Sequence, residues 1–236
     1  MRKNPLVLSL FLSFLGVTSE AGIQVHGHRG TRGTRPENTI AAFREALRVG
    51  VDVLELDLAV TKDDVLVVSH DPRLGPGLCL GPDGKPAQDV LIRSLTLAEV
   101  KRYDCGSLKN ARFPRQVLQP GERVPTLAEV LALSSTVHFN VETKLYPAYP
   151  EATPEPEAFA RLVAREVRAA NATRRVIVQS FDRRTLVAAK AEEPGLRTAM
   201  LTSDNLVDFV ALAKAGKFDI ISPDYQWVTK TQRFPI

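Results

Sequence analysis

The stretch Val51-Asp52-Val53-Leu54-Glu55-Leu56-Asp57-Leu58-Ala59-Val60 decides the fold class, because its chemistry alternates. With a side-chain period of two, Val51, Val53, Glu55 and Asp57 face one way and Leu54, Leu56 and Leu58 the other. The leucine face suits packing against helices. The opposite face carries two carboxylates inward near the strand's C-terminal end, where parallel α/β barrels keep their chemistry. The next apolar run, Val65 to Ser69, follows after only Thr61-Lys62-Asp63-Asp64. A parallel crossover takes about a dozen residues or more, so this spacing predicts a hairpin. His70-Asp71 then sits on an antiparallel return, and Asp64 in the link tolerates left-handed turn geometry.

Outward from that strand, apolar runs alternate with amphipathic stretches in β-α order, the pattern of a parallel sheet covered by helices. A first strand reads Ile23 to Gly27. A helix from Thr39 to Val49 follows, capped by Asn38, buried through Ala42, Phe43, Ala46 and Leu47, and stopped by Gly50. From Pro72 to about Val124 the chain is rich in Gly and Pro and reads as a small lobe (about 72–124) inserted over the site. Thr96 to Glu99 and Thr126 to Glu129 are capping boxes that open two helices. Then come strand Val137–Lys144, helix Glu157–Ala170, strand Val176–Phe181, helix Arg183–Glu192, strand Arg197–Leu201, helix Asn205–Ala215 ended by Gly216, and strand Asp219–Ser222.

The fold class is α/β, a TIM-type (β/α) barrel. A closed barrel of this type has eight parallel strands. The strands ending near Gly27, Val60, Lys144, Phe181, Leu201 and Ser222 predict an incomplete barrel that lacks its last two βα units. Open sheet edges of that kind favour self-association.

Residues 1–21 read as a cleavable signal peptide. Arg2 and Lys3 precede an apolar run from Leu6 to Val17, and Ser19-Glu20-Ala21 offers a small-residue cleavage site after Ala21. The run is too short to span a bilayer. Residues 22–236 then form the barrel domain, periplasmic or secreted, with no stable membrane insertion expected. Cys79 and Cys105 are compatible with an oxidising compartment; their spacing leaves open whether they are bridged or free. The formal net charge of +4 is mild, and no basic stripe interleaved with aromatics points to nucleic acid.

Glu55, Asp57 and Glu142 come from two strands and can converge on one divalent cation. All-oxygen ligation points to Ca²⁺ or Mg²⁺. The alternative is an ion-pair network with Arg29 or Lys144. His28 and His70 are candidates for acid–base exchange near neutral pH. Arg29 and Lys144 can neutralise phosphate oxygens, or else form ordinary salt bridges. Glu37 and Asn38 lie at a helix start near the site as supporting groups, Asn38 as a cap first. His26 shares a face with His28 and reads as a core histidine. Gly27, Gly30 and Gly33 make no dinucleotide or P-loop pattern; they allow the backbone to turn or to approach a phosphate.

The ordered set His28-Arg29-Gly30, Glu37-Asn38-Thr39, Glu55-Leu56-Asp57, His70-Asp71 and Glu142-Thr143-Lys144 resembles the glycerophosphodiester phosphodiesterase family over most of the chain after residue 23. The resemblance implies a small-molecule glycerophosphodiester substrate, cleaved to glycerol 3-phosphate and an alcohol. It also implies a two-step path through a cyclic phosphate, which the residues alone do not separate from direct attack by water. Gln179-Ser180-Phe181 matches a further stretch of the family without an assigned catalytic role. Two other readings remain: another phospholipase C- or D-like barrel phosphodiesterase, and an inactive phosphodiester-binding module.

Overall fold

The computed structural model describes residues 22–229, so the segment read as a signal peptide lies outside the described residues. The elements are β1 (His26–Gly27), α1 (Ile40–Val49), β2 (Val53–Val60), β3 (Leu66–Val68), β4 (Arg73–Leu74), β5 (Val90–Leu91), α2 (Leu97–Val100) and α3 (Leu127–Leu131). They continue with β6 (His138–Thr143), α4 (Pro156–Ala169), β7 (Val176–Ser180), α5 (Arg183–Glu192), β8 (Arg197–Thr202), α6 (Phe209–Gly216), β9 (Ile220–Pro223) and α7 (Tyr225–Thr229).

The main sheet has the order β1-β2-β6-β7-β8-β9, with every neighbouring pair parallel. β3 pairs antiparallel with the far end of β2, matching Leu58 to Val68 and Val60 to Leu66, as the short Thr61–Asp64 link requires. Asp64 takes the left-handed conformation there, with φ 58°. Among the described residues β1 and β9 stand at opposite ends of the sheet and do not pair. The result is a curled α/β half-barrel, the incomplete barrel that the strand count predicts.

One core lies between the sheet and its helices. Leu54, Leu56 and Leu58 of β2 and Phe139 and Val141 of β6 pack with Phe43 of α1, Phe159 and Val163 of α4, and Leu186 of α5. Burying each large side chain contributes roughly 1.5–3 kcal/mol. A second core gathers under the segment after Asp71, where Leu74, Cys79, Ile92, Val100 and Tyr103 close over Ala59 and Val67. The two cores meet on opposite faces of the β2–β3 hairpin, which holds that segment over the C-terminal ends of the strands.

Cys79 and Cys105 are disulfide-bonded, across a separation of 26 residues, inside the second core. Closing a loop of that length stabilises by about 3 kcal/mol on a chain-entropy estimate. Replacing both cysteines by alanine should therefore lower the free energy of unfolding by that amount, read as a lower denaturant midpoint. An unchanged midpoint would show that the second core holds without the bridge.

Three local expectations are corrected. The cap of α1 is Thr39, whose hydroxyl accepts from the Ala42 amide, and not Asn38. α6 begins at Phe209, capped by Asp208, rather than near Asn205. Gly216 lies inside α6, and Lys217 takes the left-handed closing position with φ 54°. Glycine is needed at 216 for another reason: a Cβ there would come within 2.1 Å of the Phe218 ring.

Candidate active site

The sheet register assembles the site. Glu55 lies beside Asn140, and Asp57 beside Glu142, on adjacent parallel strands. The period of two then points all four side chains to the concave face. Asn140, Glu142, Glu55 and Asp57 are buried there, with Gln179 from β7. Ligand oxygens of Glu55, Asp57 and Glu142 all lie within 4.8 Å of one another.

Around this trio the hydrogen bonds are directional. Glu55 Oε2 accepts from the Arg29 backbone N–H (2.9 Å) and Glu55 Oε1 from Gln179 Nε2 (3.0 Å). Gln179 Oε1 in turn accepts from Asn140 Nδ2 at 2.9 Å, while Asn140 Oδ1 is buried without a partner. Asn38 Nδ2 donates to Asp57 Oδ2 at 3.1 Å. Because Thr39 caps the helix, Asn38 is free to adopt φ 56° and reach inward. Lys144 Nζ lies 2.7 Å from Glu142 Oε1 and 3.3 Å from Asp57 Oδ1. Arg29 pairs with Glu37 at 2.6 Å and with Asp57 at 3.3 Å.

Electrostatics separate the three acids. Burial and the neighbouring Asp57 charge push Glu55 well above the usual carboxylate range. Burial also raises Glu142, only partly opposed by Lys144. Burial alone would raise Asp57, but Lys144 and Arg29 overcome it and hold that carboxyl low. Five carboxylates (Glu37, Glu55, Asp57, Asp71, Glu142) thus share three permanent cations (Arg29, Arg32, Lys144). The three buried ones among them, Glu55, Asp57 and Glu142, fit a divalent cation, and the all-oxygen donor set fits a hard one.

The two histidines flank the acids. His28 Nε2 lies 3.9 Å from Glu55 Oε2, with 56% of its side chain still in solvent. Partial desolvation, then the charges of Arg29 and Arg32, hold its pKa below the ordinary histidine value. His70 Nδ1 is fixed by Asp71 Oδ1 at 2.7 Å, and the His70 carbonyl accepts from Tyr146 Oη at 2.6 Å. Burial and the Asp71 charge keep the Tyr146 phenol protonated, so it remains a donor. His26, read from sequence as a core histidine, is exposed instead. β1 is only two residues long and stands at the sheet edge among the described residues, which leaves the ring exposed.

Arg29 and Gly30 occupy left-handed backbone, with φ 52° and 76°. A Cβ on Gly30 would meet the Ala42 backbone at 2.6 Å, so α1 packing sets this glycine. Gly30→Ala should cost about 2–4 kcal/mol, from the left-handed strain plus the forced shift of α1. A melting temperature equal to the parent's would contradict that packing argument.

Glu55, Asp57, Glu142, Arg29, Lys144, Glu37 and Asn38 therefore converge, with His28 and His70 at the margin. Sequence reasoning gave Asn140 and Gln179 no role in the site and left out Tyr146. A polar residue on the inward face of an otherwise apolar strand was the available signal for Gln179; Tyr146 lies in a loop without periodicity.

The family model described as "Glycerophosphoryl diester phosphodiesterase family" matches residues 28–232. A glycerophosphodiester phosphodiesterase of Caldanaerobacter subterraneus subsp. tengcongensis is 34% identical over 190 residues, covering 78% of this chain and 68% of that protein. A Bacillus subtilis protein of the same name is 32% identical over 221 residues, covering 85% and 72%. Among solved structures, a phosphodiesterase from Oleispira antarctica in complex with the product sn-glycerol-3-phosphate superposes with a TM-score of 0.68. It is 25% identical and covers 88% of this chain and 79% of its own. A Silicibacter pomeroyi protein assigned to the glycerophosphoryl diester phosphodiesterases gives a TM-score of 0.79 at 28% identity, with coverage of 85% and 74%.

Proposed function

The chain belongs to the glycerophosphoryl diester phosphodiesterase family, and on that premise we propose that it hydrolyses glycerophosphodiesters to glycerol 3-phosphate and an alcohol at the Glu55–Asp57–Glu142 cluster. The observation that carries this reading is the convergence of three buried carboxylates, two flanking histidines and two inward cations on one concave face.

Glu55, Asp57 and Glu142 would hold the cation, Ca²⁺ or Mg²⁺, for which their oxygen ligands are suited. When bound, such an ion polarises phosphoryl oxygens and stabilises the charge that shifts onto them. The chain's own groups do the rest. Arg29 and Lys144 lie beside Asp57 and offer N–H donors to the phosphate. Glu37 and Asn38 position them, Glu37 by clamping the Arg29 guanidinium and Asn38 by fixing an Asp57 oxygen. His28, held neutral, accepts a proton from the attacking glycerol hydroxyl, and His70, oriented by Asp71, gives one to the leaving alcohol oxygen. Water then opens the cyclic phosphate with the roles exchanged, His70 taking a proton from the water and His28 returning one to the glycerol oxygen. Gln179 and the Arg29 amide fix both Glu55 oxygens, so the ligand set is preorganised.

Two features support export: the sequence of residues 1–21, with its cleavage site after Ala21, and the disulfide, which persists outside the cytoplasm. No described helix is long and apolar enough to cross a membrane. Among the described residues β9 pairs only with β8, and that edge with the exposed Leu206, Val210 and Val228 supports self-association.

The test is to identify the product. Incubation with glycerophosphocholine should release glycerol 3-phosphate and choline in equal amounts. Release of phosphocholine and glycerol instead would assign cleavage of the other ester bond, and no release would remove the activity.

A further inference from the structure

Two cavities flank the carboxylate cluster, and they differ in chemistry. One, of about 570 Å³, has an apolar wall of Leu145, Tyr146, Pro147, Phe181 and Met200 beside the charged Asp182, Arg183 and Arg184. The other, of about 510 Å³, lies between the turn after β1 and the segment following Asp71; Arg29 and His70 connect it to the reaction centre, and Arg32, Asn110 and Arg112 line it further out. Resting on the phosphodiesterase reading, we propose that this second cavity is the subsite for the alcohol arm of the diester, and that Arg32 and Arg112 make it select anionic head groups.

The charge count supports this. Glu37 is shared, with Oε1 on Arg29 at 2.6 Å and Oε2 on Arg32 at 3.3 Å, so one carboxylate serves two guanidinium groups. Asp71 is engaged by His70. Arg112 has no ion-pair partner among the described residues. Among the charged groups that line the cavity, Arg29, Arg32 and Arg112 outnumber Glu37 and Asp71 by one, and Arg112 is the charge that no carboxylate answers. Arg32 lies with its guanidinium carbon 4.8 Å from the Phe113 ring centre, and its Nε is buried without a hydrogen-bond partner. Stacking fixes the guanidinium plane and leaves edge donors for an oxyanion.

The wall is also built to stay in place. Gln116, buried, donates to the Arg32 and Arg35 carbonyls at 2.6 and 3.1 Å, while its own oxygen accepts from the Asn110 amide. Val117 N–H donates to the Thr34 carbonyl at 2.8 Å. These bonds fasten the 110–117 loop to the Thr31–Arg35 turn, so Arg32 and Arg112 keep a common frame. The glycerol arm is uncharged in every glycerophosphodiester. With Arg29 committed to the phosphate, Arg32 and Arg112 further out are left for the alcohol arm.

The test compares three diesters, with glycolate (a carboxylate), glycerol (neutral) and choline (a cation) as the alcohol. Steering by a nearby fixed charge predicts about a tenfold advantage in kcat/KM for the glycolate diester over the choline diester, fading as salt rises. Arg112→Glu, an exposed position whose reversal leaves the fold intact, should invert that order. Equal rates, a choline preference, or a preference that Arg112→Glu leaves unchanged would overturn the proposal. Calorimetric affinities for the same three diesters give the same decision without turnover. A chain that binds the glycolate diester most tightly yet cleaves none keeps this inference and loses the phosphodiesterase reading.

Discussion

Glu55→Gln should abolish turnover, by about a thousandfold or more, while the metal-free protein melts at or above the parent temperature. The loss follows because a bound cation supplies several kcal/mol of transition-state stabilisation, and the variant removes one of its three buried charges. The gain follows because charged Glu55 is costly in the fold, where burial and Asp57 raise its pKa to about 8. A glutamine also fits the hydrogen bonds. If the amides of Gln179 and Asn140 both flip, Gln179 Oε1 can accept from the new amide and Asn140 Oδ1, now unpartnered, gains a donor. The sign of the pH dependence is fixed as well. A group whose folded pKa exceeds its unfolded value favours the folded state as it takes up its proton. Metal-free parent protein should therefore gain stability from Glu55 as pH falls from about 8 toward the ordinary 4.5. That slope should flatten in Glu55→Gln. A variant that retains activity, or that unfolds without metal, would show that Glu55 is a structural ion-pair member.

His28→Ala and His70→Ala should each lower kcat by roughly 10²–10⁴, with KM changed little, since proton transfer matters in the transition state more than in binding. The two should differ in their pH profiles. With its pKa held below the ordinary histidine value by desolvation and by Arg29 and Arg32, His28 stays neutral into mildly acidic solution. The acid limb of the parent's bell-shaped profile should lie correspondingly low, and it should vanish in His28→Ala. A parent-like rate in either variant would remove that histidine from the mechanism.

The strand that carries the acids was the most legible part of the chain. Its alternation gave both the apolar face and the placement of Glu55 and Asp57, because side-chain period in a strand is set by backbone geometry alone. The hairpin was equally legible, since the Thr61–Asp64 link permits nothing else. Asn38 was harder. Asn38 and Thr39 are both good caps, and what decides between them is Asp57, nineteen positions away, drawing the Asn38 amide inward. Gln179 could be placed on the inward face, but its partner Glu55 is separated by 124 residues and becomes a neighbour only through the β2-β6-β7 order. His26 was misread because alternation predicts which way a side chain points and not whether anything packs there. The cationic cavity was invisible in sequence, for it arises where Gln116 fastens one loop to another.

The central claim is that Glu55, Asp57 and Glu142 hold a divalent cation without which the ester is not cleaved. Its most direct test is glycerol 3-phosphate release from glycerophosphocholine by protein dialysed against chelator and then resupplied with Ca²⁺ or Mg²⁺. Activity should disappear on chelation, return with one or both ions in the parent, and fail to return in Glu55→Gln. Full activity in the chelated, dialysed parent would contradict the account.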